Sequence, residues 1–193
     1  MKTIYLIRHA ESTANAGAAT SDFRKIPLTP KGHEQAEEIS KKIEIAPNLI
    51  IVSPFLRAQM TSTPTLRRFP DAEVEVWDQV GEFTYLSPDS CKNTTAADRR
   101  PRVDAYWAAN DPNAVDGPGA ESFADFTRRA TDILIRFEVY PVDCIVLFSH
   151  AQFINSLLLY HEHPELKMAE RMQAFHNMPP IANGEIHTLT FDD

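Results

Sequence analysis

The sequence predicts an α/β fold, a three-layer α/β/α sandwich with a mostly parallel central sheet and helices on both faces. Three observations carry that prediction. Thr3–Ile7, Leu49–Val52 and Cys144–Phe148 are short, nearly continuous apolar runs rich in β-formers, and they read as strands buried on both faces. Between them lie segments whose apolar residues recur at helical spacing. Strands alternating with helices in this way imply a parallel sheet covered on both sides.

Thr3–Ile7 is the first strand and runs directly into Arg8-His9. Thr29-Pro30 supplies an N-cap and a proline at the first helical position. The helix continues through His33–Ile43, with Ala36, Ile39 and Ile43 on one face. Leu49–Val52 is stopped by Ser53-Pro54, and Phe55–Arg68 comes next as a helix that Pro64 is expected to kink or end. Glu73–Trp77 is a weaker strand. Thr84–Pro118 is polar and turn-rich, and is expected to be an excursion holding a short helix around Val103–Ala109. Glu121–Glu138 is a long helix carrying Phe123, Phe126, Ala130, Ile133, Leu134 and Phe137. Cys144–Phe148 is stopped by Ser149-His150. Helices over Gln152–Tyr160 and Glu165–Phe175 and an alternating strand over Glu185–Phe191 complete the chain. Residues 1–193 thus read as a single domain, with 84–118 as an excursion from it.

Composition removes several classes of function. Hydrophobic residues are 43% and charged residues 24% of the chain, near globular averages, so wholesale disorder is excluded. No apolar run approaches the roughly 20 residues that span a bilayer, and the stretch Met1–Ile7 is too short for a signal peptide. Cys91 and Cys144 make no disulfide framework, which points to a reducing, cytoplasmic location. Against 19 basic residues stand 27 acidic ones, a net charge of −8 that disfavours binding to a phosphodiester backbone. A local cationic pocket for one small anion remains compatible with that balance. Glycine is scarce, at 6 residues, and neither GxxxxGK[ST] nor GxGxxG occurs; Ser122 stands where Gly117-Pro118-Gly119 would need its third glycine.

The informative residues stand at the carboxyl ends of the three strongest strands. The first strand delivers Arg8-His9, the second Ser53-Pro54-Phe55-Leu56-Arg57, and the third Ser149-His150. In an open parallel sheet the strand carboxyl ends share one edge, and ligands bind in the crevice outside it. Two arginines and two histidines would meet there, together with the amino ends of the succeeding helices, which favour anions. A small phosphate-bearing substrate suits such a pocket.

These residues also resemble a known family, the histidine phosphatase superfamily, also called phosphoglycerate mutase-like. Arg8-His9-Ala10-Glu11-Ser12 is similar to its RHG[ED] signature, with Asn15 at the position of a frequent asparagine. Leu28–Ala36 resembles the LTxxGxxQA segment, and Ser53–Thr61 resembles SPLxRAxxT. Gly119–Phe123 is similar to the GGES stretch before a long helix, and Phe148–Ala151 to VSHG. The matches keep the family's order across nearly the whole chain. Ala10 and Ala151 depart from it where glycine is usual, and Lys25 stands where an aspartate is common. A positive φ at either alanine would strain the backbone.

The resemblance implies a phosphoenzyme on His9, with Arg8 and Arg57 gripping phosphoryl oxygens, His150 as a further donor and Asn15 as a side-chain donor. It implies no metal and no other cofactor. Glu82, in Gly81-Glu82-Phe83, matches the position of the family's general acid. Glu11 reads as a loop-holding residue and Glu121 as a first-turn acid of the long helix. His161-Glu162-His163 lacks further ligands for a metal, and neither cysteine suits a nucleophile. Within 84–118, Lys92, Arg99, Arg100 and Arg102, near Tyr106 and Trp107, form either a binding surface for a second anion or a solvated face offset by Asp98 and Asp104. The expected activity is a metal-independent phosphomonoesterase acting on a small phosphorylated substrate, with 84–118 as a substrate cap. The alternatives are a phosphoglycerate-type mutase, a phosphoprotein (phosphohistidine) phosphatase and a catalytically silent phosphate-binding module. Sequence alone gives neither the oligomeric state nor the physiological substrate.

Overall fold

The computed structural model describes residues 1–191. Strands β1 (Lys2–Arg8), β2 (Leu49–Val52), β3 (Glu73–Val76), β4 (Cys144–Ser149) and β5 (Ile186–Phe191) form one sheet in the order β3-β2-β4-β1-β5. The first four are mutually parallel and β5 runs antiparallel along β1. Helices α1 (Pro30–Lys42) and α2 (Leu56–Arg68) cover one face; α5 (Phe123–Val139), α6 (Ala151–Glu162) and α7 (Met168–His176) cover the other. Two further helices, α3 (Pro88–Cys91) and α4 (Ala96–Ala109), lie in the excursion. No helix of the described residues is long and apolar enough to cross a membrane.

The period-two alternation of a strand sorts the central residues into two cores. Ile4, Leu6, Leu49, Ile51, Ile145 and Leu147 face α5, α6 and α7, where Phe126, Phe137, Phe153 and Met172 are fully buried. Tyr5, Ile7, Ile50, Val52, Val146 and Phe148 face α1 and α2, against Ala36, Ile39 and Ala58. Each fully buried Leu, Ile or Phe contributes about 1.5–3 kcal/mol, so both layers are firmly held to the sheet.

Local chemistry accounts for the helix ends. Thr29 caps α1, its hydroxyl accepting from the Gly32 amide at 3.0 Å, with Pro30 in the first turn. Gly32 answers to a close approach: a β-carbon there would sit 2.1 Å from the carbonyl oxygen of Glu11. Helix α2 runs to Arg68 over the expected span, with Pro64 inside it. One element begins earlier than expected. The α4 helix begins at Ala96, well before Val103, because Thr95 and Asp98 form a reciprocal capping box and the chain accommodates Pro101 inside the helix. Glu121 is also corrected: Ser122 caps α5 and Asp125 is its first-turn acid, whereas Glu121 precedes the cap and pairs with Arg129.

The register sets up the site. Arg8 lies beside Ser149, and Val52 beside Phe148, so β1, β2 and β4 end together at one edge. The amides of His9 and Ser53 extend the ladder to Ser149 and Phe148 carbonyls, both at 3.0 Å.

Candidate active site

His9 directly succeeds β1 and is buried, 4% exposed. Its Nδ1 lies 2.8 Å from the Ala10 carbonyl oxygen, which can only accept, so Nδ1 carries the proton. Its Nε2 faces Arg57 Nε, which can only donate, at 3.0 Å. Both partners therefore select the neutral tautomer with the lone pair on Nε2. Burial holds the imidazole well below its usual pKa, and Arg57 and Arg8 reinforce that.

Arg57, at the start of α2, is 8% exposed. It also donates to the Phe23 carbonyl at 2.8 Å, and its guanidinium lies over the Phe55 ring at 4.9 Å. Burial lowers its pKa to about 10, helped by Arg8 and opposed by Glu82. Arg8 donates to the Ile181 carbonyl, while its Nε is buried without a hydrogen-bond partner among the described residues. His150, fully buried after β4, pairs through Nε2 with the Ser53 hydroxyl at 2.8 Å, and its Nδ1 is likewise unpartnered. The His9 and His150 rings meet edge-on at 5.3 Å. Burial and then Arg57 hold His150 neutral as well.

Glu82 comes after a single 3-10 turn, Asp78–Val80. Its carboxylate accepts from the amides of Phe83 (3.0 Å), Phe153 (3.3 Å) and Gln152 (3.5 Å), the last two at the amino end of α6. Burial raises its pKa, overcoming those amides and the pull of Arg57 and Arg8. Arg129 braces this loop, donating to the carbonyls of Gln79 and Gly81 while pairing bidentately with Glu121 at 2.8 Å.

Asn15 is exposed, and its carbonyl oxygen accepts from the Ser12 amide (3.1 Å), the Ser12 hydroxyl (2.7 Å) and Asn183 Nδ2 (3.2 Å). That commits the oxygen and turns Asn15 Nδ2 into the remaining polar function. The structure thus brings His9, Arg57 and His150 into direct or ring contact and sets Arg8 and Glu82 within electrostatic reach of them. Asn15 joins through Asn183, which also donates to the His9 carbonyl at 3.0 Å.

The two alanines are accommodated without strain. Among the described residues, the non-glycine positions with positive φ are Asn93 and Asn110, so Ala10 and Ala151 sit in ordinary backbone. The Ala10 methyl is fully buried in the core beneath α1 and α2. Glu11 holds its loop as expected, accepting from Thr29 Oγ1 at 2.9 Å and Lys31 Nζ at 2.8 Å. Lys25 is exposed and lies 3.6 Å from Asp22.

Several contributors carry no role in the sequence reading. Ser53 partners His150, Asn183 ties the His9 loop to the last connection, and Phe23 acts through its backbone carbonyl. Thr61 is fully buried; its hydroxyl accepts from the Ala10 amide at 3.0 Å and donates to the Arg57 carbonyl at 2.6 Å. Thr61→Val leaves that amide buried and unpaired, so urea denaturation is expected to show a loss of about 1–3 kcal/mol. An unchanged midpoint would remove Thr61 from this account.

A cavity of about 560 Å³ opens beside these groups, with Arg57, Glu82, Phe23, Phe55, Tyr85 and Arg99 in its wall. The excursion cations divide there. Lys92 and Arg99 line the cavity, but Lys92 pairs with Asp89 at 2.7 Å. Arg100 and Arg102 pair with Asp104 (2.8 Å) and Asp116 (2.5 Å) and are not part of the wall. Among the described residues, no cluster of three or more His, Cys, Asp or Glu side chains could hold a metal ion.

The chain is similar to known proteins in sequence and in fold. The chain is 28% identical over 159 residues to the adenosylcobalamin/alpha-ribazole phosphatase of Salmonella typhi, covering 81% of this chain and 77% of that one. It is 24% identical over 172 residues to the 2,3-bisphosphoglycerate-dependent phosphoglycerate mutase of Chelativorans sp. (strain BNC1), covering 81% and 80%. In structure it superposes on a mycobacterial glucosyl-3-phosphoglycerate phosphatase in complex with VO3 with a TM-score of 0.76 at 20% identity, covering 98% and 93% of the two chains. The profile of the histidine phosphatase superfamily (branch 1) matches residues 4–193, that is, the sheet, both helical layers and the edge that gathers His9, Arg57 and His150. With that span matched from β1 to β5, the chain belongs to the histidine phosphatase superfamily.

Proposed function

We propose that the protein is a cytoplasmic, metal-independent phosphomonoesterase that hydrolyses a small phosphorylated substrate through a phosphohistidine on His9. The observation that carries this reading is the His9 tautomer: Nδ1–H is held by the Ala10 carbonyl and the Nε2 lone pair faces Arg57. Nε2 attacks phosphorus, the bond between phosphorus and the ester oxygen breaks, and Glu82 as a carboxylic acid protonates the departing oxygen. Water then attacks the phosphohistidine, Glu82 takes a proton from it, and Nε2 leaves with its electron pair. Arg8 and Arg57 neutralise the phosphoryl oxygens, and neutral His150 and the Asn15 amide orient them as hydrogen-bond donors. The buried, unpartnered Arg8 Nε and His150 Nδ1 support this, since a phosphoryl oxygen would relieve the cost of leaving them unsatisfied.

Residues 84–118 serve as a cap in this reading, supplying Tyr85, Leu86, Lys92 and Arg99 to the cavity wall. Two guanidinium groups supply the positive charge that a metal would otherwise bring, and the two neutral histidines add none. Inorganic phosphate is therefore expected from p-nitrophenyl phosphate at the same rate with and without EDTA. Activity lost to the chelator and restored by a divalent cation would reject metal independence. Interconversion of phosphoglycerates without net phosphate release would instead favour a mutase.

A further inference from the structure

The cavity beside Arg57 and Glu82 must receive whatever the ester oxygen carries, so its wall reads out the alcohol half of the substrate. The volume of about 560 Å³ lies within the ~300–1,000 Å³ typical of small-molecule sites. Two aromatic pairs line it. Phe23 and Phe55 meet edge-on at 5.4 Å, and Phe83 and Tyr85 meet at 5.2 Å. Both pairs border the same space, and among the described residues no ring contact joins one pair to the other.

These walls are braced from behind. Phe83 stacks on Phe126 at 4.2 Å with an interplanar angle of 13°, and Tyr85 packs on Tyr106 (5.0 Å) and Trp107 (5.6 Å). Phe55 is held against His150 at 4.8 Å. A rigid aromatic wall loses little conformational freedom when a ligand arrives. Apart from Arg57 and Glu82, the charged residues in the wall are Asp22, Asp89, Lys92 and Arg99, two of each sign. Lys92 is already neutralised by Asp89, and Arg99 spends one nitrogen on the Thr94 carbonyl and hydroxyl, both at 2.9 Å. The site beyond the phosphoryl group is therefore apolar and close to neutral.

We propose that the substrate is a phosphomonoester whose alcohol bears an uncharged apolar ring, seated between the Phe23–Phe55 and Phe83–Tyr85 pairs. This rests on the phosphatase reading above for the orientation of the ester, but its test does not require turnover. Benzylphosphonate, ethylphosphonate and 2-carboxyethylphosphonate carry a carbon–phosphorus bond that the enzyme cannot hydrolyse, and calorimetric titration ranks their binding. Benzylphosphonate is expected to bind at least about 10-fold more tightly than ethylphosphonate, the effect of burying a phenyl ring, and the carboxylate analogue no more tightly than ethylphosphonate. Phe23→Ala and the milder Tyr85→Leu are each expected to narrow the benzyl-to-ethyl ratio several-fold. Equal affinities, tightest binding of the carboxylate analogue, no measurable binding of any of the three, or a ratio unmoved by both variants would each overturn the proposal. Failure of the phosphatase reading shows separately, as no phosphate released from p-nitrophenyl phosphate, while the ranking of the phosphonates still decides the ring preference.

Discussion

His9→Ala is expected to abolish turnover, lowering kcat by roughly 10⁴-fold or more, as loss of a covalent nucleophile does. The same variant should form no acid-labile phosphoenzyme when mixed with substrate and quenched. The reasoning is local. His9 Nε2 is a nitrogen lone pair presented next to Arg57, at the edge where β1 and β4 end. Burial first, then Arg57 and Arg8, lower the imidazole's proton affinity and so keep that lone pair free near neutral pH. Alanine removes the attacking atom and leaves the cations, so phosphate should still bind. Retained turnover with labile phosphate on another residue would reject the assignment.

Glu82→Gln is expected to cost about 10²–10⁴-fold in kcat for alkyl phosphates, the range for loss of a general acid. The cost should be far smaller for p-nitrophenyl phosphate, whose leaving group departs without a proton. Glutamine keeps the size of the side chain, so a uniform loss for both substrates would mean that the residue shapes the site rather than moving a proton. The pH profile tests the same residue. In the proposed mechanism His9 acts neutral, and its pKa is lowered, so activity should rise as pH climbs through that value. Glu82 there acts protonated, and its pKa is raised, so activity should fall as pH climbs through it. A bell is expected for kcat/KM in the native protein, and Glu82→Gln should lose the alkaline limb for an alkyl substrate.

How much of this was legible in the sequence differs by element. Strands β1, β2 and β4 were plain because both of their faces are buried, which writes apolar residues at consecutive positions through their middles. Helix α4 was only half visible: Pro101 argues against a helix, and the Thr95–Asp98 capping box that starts it lies well upstream of Val103, where the apolar signal begins. The true partner of Glu121, Arg129, lies two turns further along α5, so a first-turn role was the simpler reading of the sequence. The cations of the site were legible because strand ends converge on one edge in a parallel sheet. Their supports were not. Ser53 meets His150 across 97 residues, Phe23 contributes a carbonyl that any residue could offer, and Asn183 lies in a connection without periodicity. The charges of the excursion were countable, but only the fold shows Arg100 and Arg102 turned to Asp104 and Asp116 and away from the cavity.

A crystal structure of the protein soaked in vanadate addresses the central claim most directly. The account predicts vanadium bonded to His9 Nε2, its equatorial oxygens held by Arg8, Arg57 and His150, and Glu82 facing the apical oxygen opposite the histidine. An oxyanion bound elsewhere, or one at this edge with His9 turned away from it, would contradict the account.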